Sequence, residues 1–177
     1  MAIKKNYAGV DGPLSDGNLT IMVVPSAEIE AVADVTAALL NGASAVDITY
    51  DLTTDGYQHT PGNEEITQNR LTRPYEKKRQ GKQTDTLQLQ YGYDPETGGG
   101  ETQADTVLVT GAKVHVIERR GVDHEADFAA GDKIKIYPGE VGRKTDDPPV
   151  AAAEFTRSVA ILLDGEVTDE TVLTAGV

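Results

Sequence analysis

Two runs of strict alternation constrain the fold more than any other feature of the chain. Val46, Ile48, Tyr50 and Leu52 alternate with Asp47, Thr49, Asp51 and Thr53, and Leu87, Leu89, Tyr91 and Tyr93 alternate with Gln88, Gln90 and Gly92. A period of two sends every second side chain to one face, the pattern of a strand with one buried side. Between the two runs lies 66–85, which carries Arg70, Arg73, Lys77, Lys78, Arg79 and Lys82 against Glu76 and Asp85, a net +4. The rest of the chain holds 10 basic and 27 acidic residues, a net −17. A basic arm is thus held between two strands of an acidic β-protein, an arrangement suited to gripping an acidic neighbour.

The chain of 177 residues fits one domain. Its material for a core is modest, with 38% hydrophobic residues, no Trp and two Phe, so part of its stability is expected from association with copies of itself. A net charge of −13 argues against sequence-independent nucleic-acid binding, which works by neutralising phosphates, and against an anionic membrane surface. An acidic protein can still handle DNA by repelling it. Without cysteine there are no disulfides and no thiolate metal sites. No apolar run follows Lys4 and Lys5, so no signal peptide is expected, and no stretch has the length of a membrane span.

Residues 1–18 are polar and rich in Gly, Asp and Asn, and read as an N-terminal arm preceding a single β-domain over 19–177. A first strand covers 19–24 and is closed by Pro25. Ser26 is placed to cap a helical turn over 27–33, and Asp34 to start a short helix that ends at Asn41-Gly42. The strand over 46–53 is followed by turn chemistry at 54–56 and 60–63, with a further strand at 64–67 leading into the basic stretch. The glycine run 98–100 reads as a loop, and Thr102 as the cap of a second short helix over 103–109. Strands are expected over 112–118, with Ala112, Val114 and Val116 on one side, and over 133–137. In a closing hairpin, Ala153, Phe155, Val159, Ile161 and Leu163 alternate with small or polar residues, Asp164-Gly165 makes a type I′ turn, and 167–173 returns. The fold class is mainly β: two packed antiparallel sheets, sandwich- or barrel-like, with one or two short flanking helices and a long extended loop over 54–85.

Catalytic chemistry is not visible. The histidines His59, His115 and His124 are far apart, and Asp123, Glu125 and Asp127 around His124 read as a solvated acidic loop. There is no Gly-x-Ser-x-Gly elbow, and the glycine run lacks the Lys-Ser/Thr of a phosphate loop. No catalytic residue, metal or cofactor is expected, and the chain is read as a non-enzyme.

The basic stretch has two readings. It is either a solvated loop whose lysines keep a sheet edge from pairing, or an interaction element, the more usual role of a long loop in a compact domain. On the second reading Arg70, Arg73, Lys77, Lys78, Arg79 and Lys82 contact the acidic face of another copy. Such a contact is heterologous, and one that does not close on itself builds a filament or tube.

The order of these pieces resembles the major tail tube proteins of long-tailed (siphovirus-type) bacteriophages, particularly those infecting actinobacteria. Four pieces carry the resemblance: the helix at 34–40 entering the strand at 46–50, the polar segment 64–72, the strand 112–119 with 120–123 and 129–138, and the closing segment from Glu154-Phe155 to Val167. Together they cover most of 19–173.

The resemblance implies a structural virion protein, made in the host cytoplasm and built into the tail. Six subunits would join their inner sheets into a ring, and rings would stack around a tape measure protein, ending at tail terminator and distal tail proteins. DNA would pass through the bore only in transit, slid along by repulsion from carboxylates, with no specific nucleic-acid or membrane binding. The family offers no catalytic residues. The alternatives are a head–tail joining, capsid-decorating or secretion-tube β-protein, or a small acidic hydrolase or metal-binding domain.

Overall fold

The computed structural model describes residues 14–15, 17–68, 71, 75–96 and 102–176. Most of the expected N-terminal arm, the glycine run 98–100, and Arg70 and Arg73 lie outside the described residues. The first strand, β1 (Leu19–Pro25), is where the sequence puts it. The single helical turn expected next is two 3₁₀ turns, Ser26–Glu28 and Val32–Asp34. Ser26 lies inside the first of them and caps nothing. Asp34 does not open the next helix, because its carboxylate turns back to accept from the backbone N–H of Glu30 and Ala31 at 3.0 and 2.7 Å. Thr36 takes the capping role for α1 (Ala37–Leu40), its hydroxyl accepting from the Leu39 N–H at 3.3 Å.

The strand expected over 46–53 is split in two. β2 (Val46–Asp47) pairs with β1 for two residues only. The Asp47 carboxylate then accepts from the Thr49 N–H at 2.8 Å, an Asx turn that lifts the chain out of the ladder. After it β3 (Leu52–Thr60) runs through 54–56, where a turn was expected. Ile48 is buried, but Tyr50, placed by alternation on the same buried face, is 74% exposed.

β4 (Asn63–Gln68) and β5 (Lys77–Gln83) pair with each other as a two-stranded sheet. The segment expected as one extended loop over 54–85 is therefore extended but paired, made of the outer part of β3 and this ribbon. β6 (Thr86–Gly92) keeps its alternation, with Leu87, Leu89 and Tyr91 buried. α2 (Gln103–Val107) has Thr102 as its cap. β7 (Lys113–Arg120), β8 (Lys133–Val141), β9 (Thr145–Asp146), β10 (Thr156–Leu163) and β11 (Thr168–Val172) complete the chain. The class is mainly β, with a large antiparallel sheet, a small second sheet and two short helices. Among the described residues no helix is long and apolar enough to cross a membrane.

In the large sheet the order is β2-β1-β7-β8-β10-β6-β3, with β11 also on β8 and β9 on β10. β8 and β10 share only three residue pairs, Gly139–Val141 against Ile161–Leu163. Strands on both sides of that narrow junction feed one core: Ile21, Val23 and Val116 from one, Leu89, Val159 and Ile161 from the other. A second core lies on the other face of β1, β7 and β8, where Met22, Ile117 and Ile136 are covered by Leu40, Phe128 and Leu173. β7 is consequently buried on both faces, with Ile117 on the side opposite Val114 and Val116.

The Asp164-Gly165 turn is not a hairpin. β10 pairs with the second half of β8 (Leu163↔Gly139) and β11 with its first half (Thr168↔Ile136, Val172↔Lys133). The two strands follow each other in one direction along one edge of β8, and 164–167 is a bulge between them. Pro138 gives the reason, since it offers no N–H to a partner strand at that point. The chain steps over it, with the Asp164 N–H donating to the Pro138 carbonyl at 3.3 Å. Gly165 sits so close that a Cβ there would lie 2.8 Å from Pro138 Cγ. Ala153 and Phe155, expected in the inward row, precede β10 and are exposed.

Candidate inter-subunit surface

The ribbon leaves the large sheet at the Thr60↔Thr86 end of the β3–β6 pair. Its neck is tight. The Thr84 N–H donates to the Gly62 carbonyl at 2.8 Å, the Gly62 N–H to the Asp85 carboxylate at 3.2 Å, and a Cβ at Gly62 would lie 2.3 Å from the Thr84 carbonyl oxygen. Beyond the neck the register Ile66↔Arg79, Thr67↔Lys78 and Gln68↔Lys77 sorts the side chains. Ile66, Lys77 and Arg79 share one face, while Glu65, Thr67 and Lys78 share the other. Lys78 is spent on Glu65, its ammonium 2.6 Å from the carboxylate. Among the described residues Lys77, Arg79 and Lys82 have no ionic partner. Ile66 and Tyr75 are 52% and 72% exposed, and Leu71 is fully exposed. A two-stranded ribbon with apolar groups in water is marginal by itself, and exposed Ile66 on the face it shares with Lys77 and Arg79 has the composition of a contact surface.

A second feature is an open groove of about 590 Å³ between the end of α1, β2 and the acidic segment 123–128. Its floor is fixed by Asn41, whose side chain donates to the Phe128 carbonyl and accepts from the Phe128 N–H, both at 2.9 Å. Its acidic wall is fixed by Arg119. That guanidinium is fully buried and donates to the carbonyls of Asp123, Ala126 and Asp127, to the Thr20 hydroxyl and to the Asp132 carboxylate, at 2.7–3.2 Å. It also lies 4.1 Å over the Phe128 ring. The segment read as a freely solvated acidic loop is thus anchored by its backbone. Its carbonyls point in, and Asp123, Glu125 and Asp127 are exposed. Glu125 and Asp127 have no cationic partner among the described residues. His124 packs edge-on against Tyr50 and bonds its hydroxyl, closing one end of the groove.

Other titratable clusters are internal. Glu118, 1% exposed, accepts from the hydroxyls of Tyr57 and Tyr137 at 2.8 Å each and pairs with Arg120. Burial, with the hydrogen bond to Tyr137, pushes the Tyr57 phenol up. Asp105 takes Lys144, Arg157 and the Tyr91 hydroxyl at 2.8–2.9 Å. Burial works against its ionised form, but these three donors overcome it and hold the carboxyl at about 2. Arg157 continues to Asp146 and covers the Tyr93 ring, joining α2 to β9 and β10. Among the described residues no group of three or more His, Asp or Glu is placed to hold a metal.

Of the basic residues singled out by sequence, the structure collects Lys77, Lys78, Arg79 and Lys82 on β5; Arg70 and Arg73 fall outside the described residues. Arg119, Glu118 and Asp105 were missed. The one available signal was Glu118-Arg119-Arg120, three charges in a row closing a strand directly before Gly121.

The chain matches the family model described as phage tail tube protein over residues 10–176. Among solved structures it is similar to a chain of the cryo-EM structure of the anti-feeding prophage (AFP) baseplate, 6-fold symmetrised, at 10% identity and a TM-score of 0.53. That match covers 95% of this chain and 100% of the other, and at this identity it speaks to the fold alone. No curated protein matches the sequence.

Proposed function

The chain belongs to the phage tail tube protein family, a component of the virion tail, and on that premise we propose that it is the repeating subunit of the tube itself. Six copies form a ring, rings stack into a tube around a tape measure protein, and terminator and distal tail proteins close the ends. DNA crosses the bore during ejection. The protein is structural and has no catalytic role.

The observation that carries this reading is the separation of charge onto one projecting element. The β4–β5 ribbon presents Lys77 and Arg79, without ionic partners among the described residues, beside exposed Ile66, on a chain of net −13. A feature of that kind on a homo-oligomer finds its complement on another copy, and a heterologous contact propagates. A second support is the sheet edge. β3 is nine residues long and among the described residues pairs only with β6, so its outer row of backbone groups suits pairing with the sheet of a neighbour within a ring. The acidic surplus suits a conduit for DNA, because carboxylates near the path repel phosphate and deny it the counterion-releasing contacts that would hold it.

Electron microscopy of the purified protein tests the proposal. Long tubes of uniform bore are expected; closed rings or monomers alone under all assembly conditions would overturn it. Reversing Lys77, Lys78 and Arg79 to Glu should abolish polymerisation while circular dichroism stays that of the folded monomer. Normal tubes from that variant would remove the ribbon from the contact.

A further inference from the structure

The proposed stacking leaves open where the ribbon lands, and the geometry points to the groove beside Tyr50: we propose that the groove between α1, β2 and 123–128 receives the β4–β5 ribbon of a second copy. This inference rests on the tube reading. It adds the receiving face and the polarity of the contact.

Three observations converge on it. First, the two surfaces are complementary in composition as well as in sign. On the ribbon, Ile66 stands opposite Arg79 with Lys77 next along the same face, so an apolar side chain is flanked by two cations that have no ionic partner among the described residues. In the groove, Ala45, Val46 and the exposed ring of Tyr50 are flanked by Asp47, Glu125 and Asp127. Second, the groove is preformed. Asn41 locks its floor to Phe128, and three donor contacts from buried Arg119 to the carbonyls of Asp123, Ala126 and Asp127 hold the acidic wall with its carboxylates outward. A receptor already in its bound shape loses little freedom on docking, which suits a partner that is itself a marginal ribbon.

Third, the two features lie at opposite ends of one rigid strand pair. β3 pairs with β6 from Leu52↔Tyr91 to Thr60↔Thr86. Tyr50, on the groove's rim, precedes Leu52 at one end, and the ribbon leaves from Thr60 and Thr86 at the other. At about 3.3 Å per residue, the five steps of β6 between those pairs put roughly 17 Å of strand between the two ends. Plug and socket so placed are also met by a reciprocal antiparallel pair, which would close at two copies, so growth requires each docking to join copies head to tail. In the tube they join head to tail, and each docking leaves a free plug at one end and a free socket at the other; a ladder that stops at the dimer would overturn this polarity.

The chain has no cysteine, so the contact can be read by crosslinking. A chain carrying Arg79→Cys with Glu125→Cys, assembled and then oxidised, should give a ladder of disulfide-linked multimers on non-reducing gels. Arg79→Cys with Glu154→Cys, whose acid lies in a neighbouring surface groove, should not. A ladder from the second pair alone would overturn the assignment. Charge exchange gives an independent arm. Glu125→Lys with Asp127→Lys should raise the critical concentration for polymerisation roughly ten- to a hundredfold, and adding Lys77→Glu with Arg79→Glu in the same chain should restore assembly. If the ribbon reversal alone blocks tubes while the groove reversal leaves them unchanged, the tube reading stands and the groove assignment fails. If both leave tubes unchanged, the ribbon contact itself is wrong. Circular dichroism on each monomer separates these outcomes from loss of fold.

Discussion

Asn41 and Phe128, 87 residues apart in the chain, exchange two hydrogen bonds of 2.9 Å, the side chain of one clasping the backbone of the other. The clasp ties the end of α1 to the acidic segment and closes the second core over Leu40. Asn41→Leu would leave the Phe128 N–H and carbonyl unpaired in a half-buried place. A loss of about 1–3 kcal/mol in urea unfolding is expected, with an unchanged m-value, since no new surface is exposed in the native state.

Arg119→Ala is expected to be more damaging, by roughly 3–5 kcal/mol, because it strips the donor from three inward carbonyls and from the half-buried Asp132 carboxylate together. The acidic segment should open first. Limited proteolysis would then cut within 121–132 well before global unfolding, whereas the parent protein resists there. Arg119→Lys should rescue little, since one ammonium cannot reproduce the spread of a planar guanidinium.

Acid should weaken the chain through Asp105. Its carboxyl is held at about 2, below its ordinary value, so the ionised form is favoured in the folded state. The stabilisation is present in full above the unfolded value near pH 4 and is lost as pH falls towards 2. Partial exposure of the group screens the effect, leaving on the order of 1–2 kcal/mol. In Asp105→Asn, stability at pH 7 should drop by about that amount, because Lys144 then faces Arg157 with the Asp105 charge gone and Asp146 alone left to neutralise Arg157. The gap between variant and parent should narrow below pH 4, and denaturant titrations across pH 7 to 2 measure both.

Gly62→Val should separate folding from assembly. A Cβ there would lie 2.3 Å from the Thr84 carbonyl oxygen, so the neck must spread and the ribbon swing away. The large sheet does not depend on that neck. A near-parental thermal midpoint with loss of pelletable polymer is expected.

If acid–base contacts guide docking, the rate of tube growth should fall as salt rises through about 0.1–0.15 M, where the screening length shrinks to roughly 8–10 Å. Light scattering against ionic strength reads it. A salt-insensitive rate would assign growth to apolar and strand-pairing contacts instead.

Much of the fold was legible along the chain. β1, β6 and the caps at Thr102 and Asn41 follow from local pattern, because alternation and capping are decided by residues within a few positions of each other. The errors share a cause. Asp164-Gly165 has the composition of a hairpin turn, yet it steps the chain past Pro138, and only the identity of the strand on the far side of the bulge tells the two apart. Tyr50 follows a strand rhythm that the Asx turn at Asp47 cancels. The basic stretch was visible as charge, but its pairing into a ribbon was not, since its polar side chains carry almost no periodic signal.

The sequence by itself determined the class of the protein: antiparallel β, acidic, with its positive charge gathered in one segment between two strands. Those properties are sums and periods, carried by composition and by near neighbours. Tertiary structure alone decided which faces meet. It buried Arg119 to fix the outward pose of Glu125 and Asp127, and it set Tyr50 and the ribbon at opposite ends of β3. Both depend on contacts between residues tens of positions apart, for which a linear pattern holds no record, and on them rests the polarity with which one copy can grip the next.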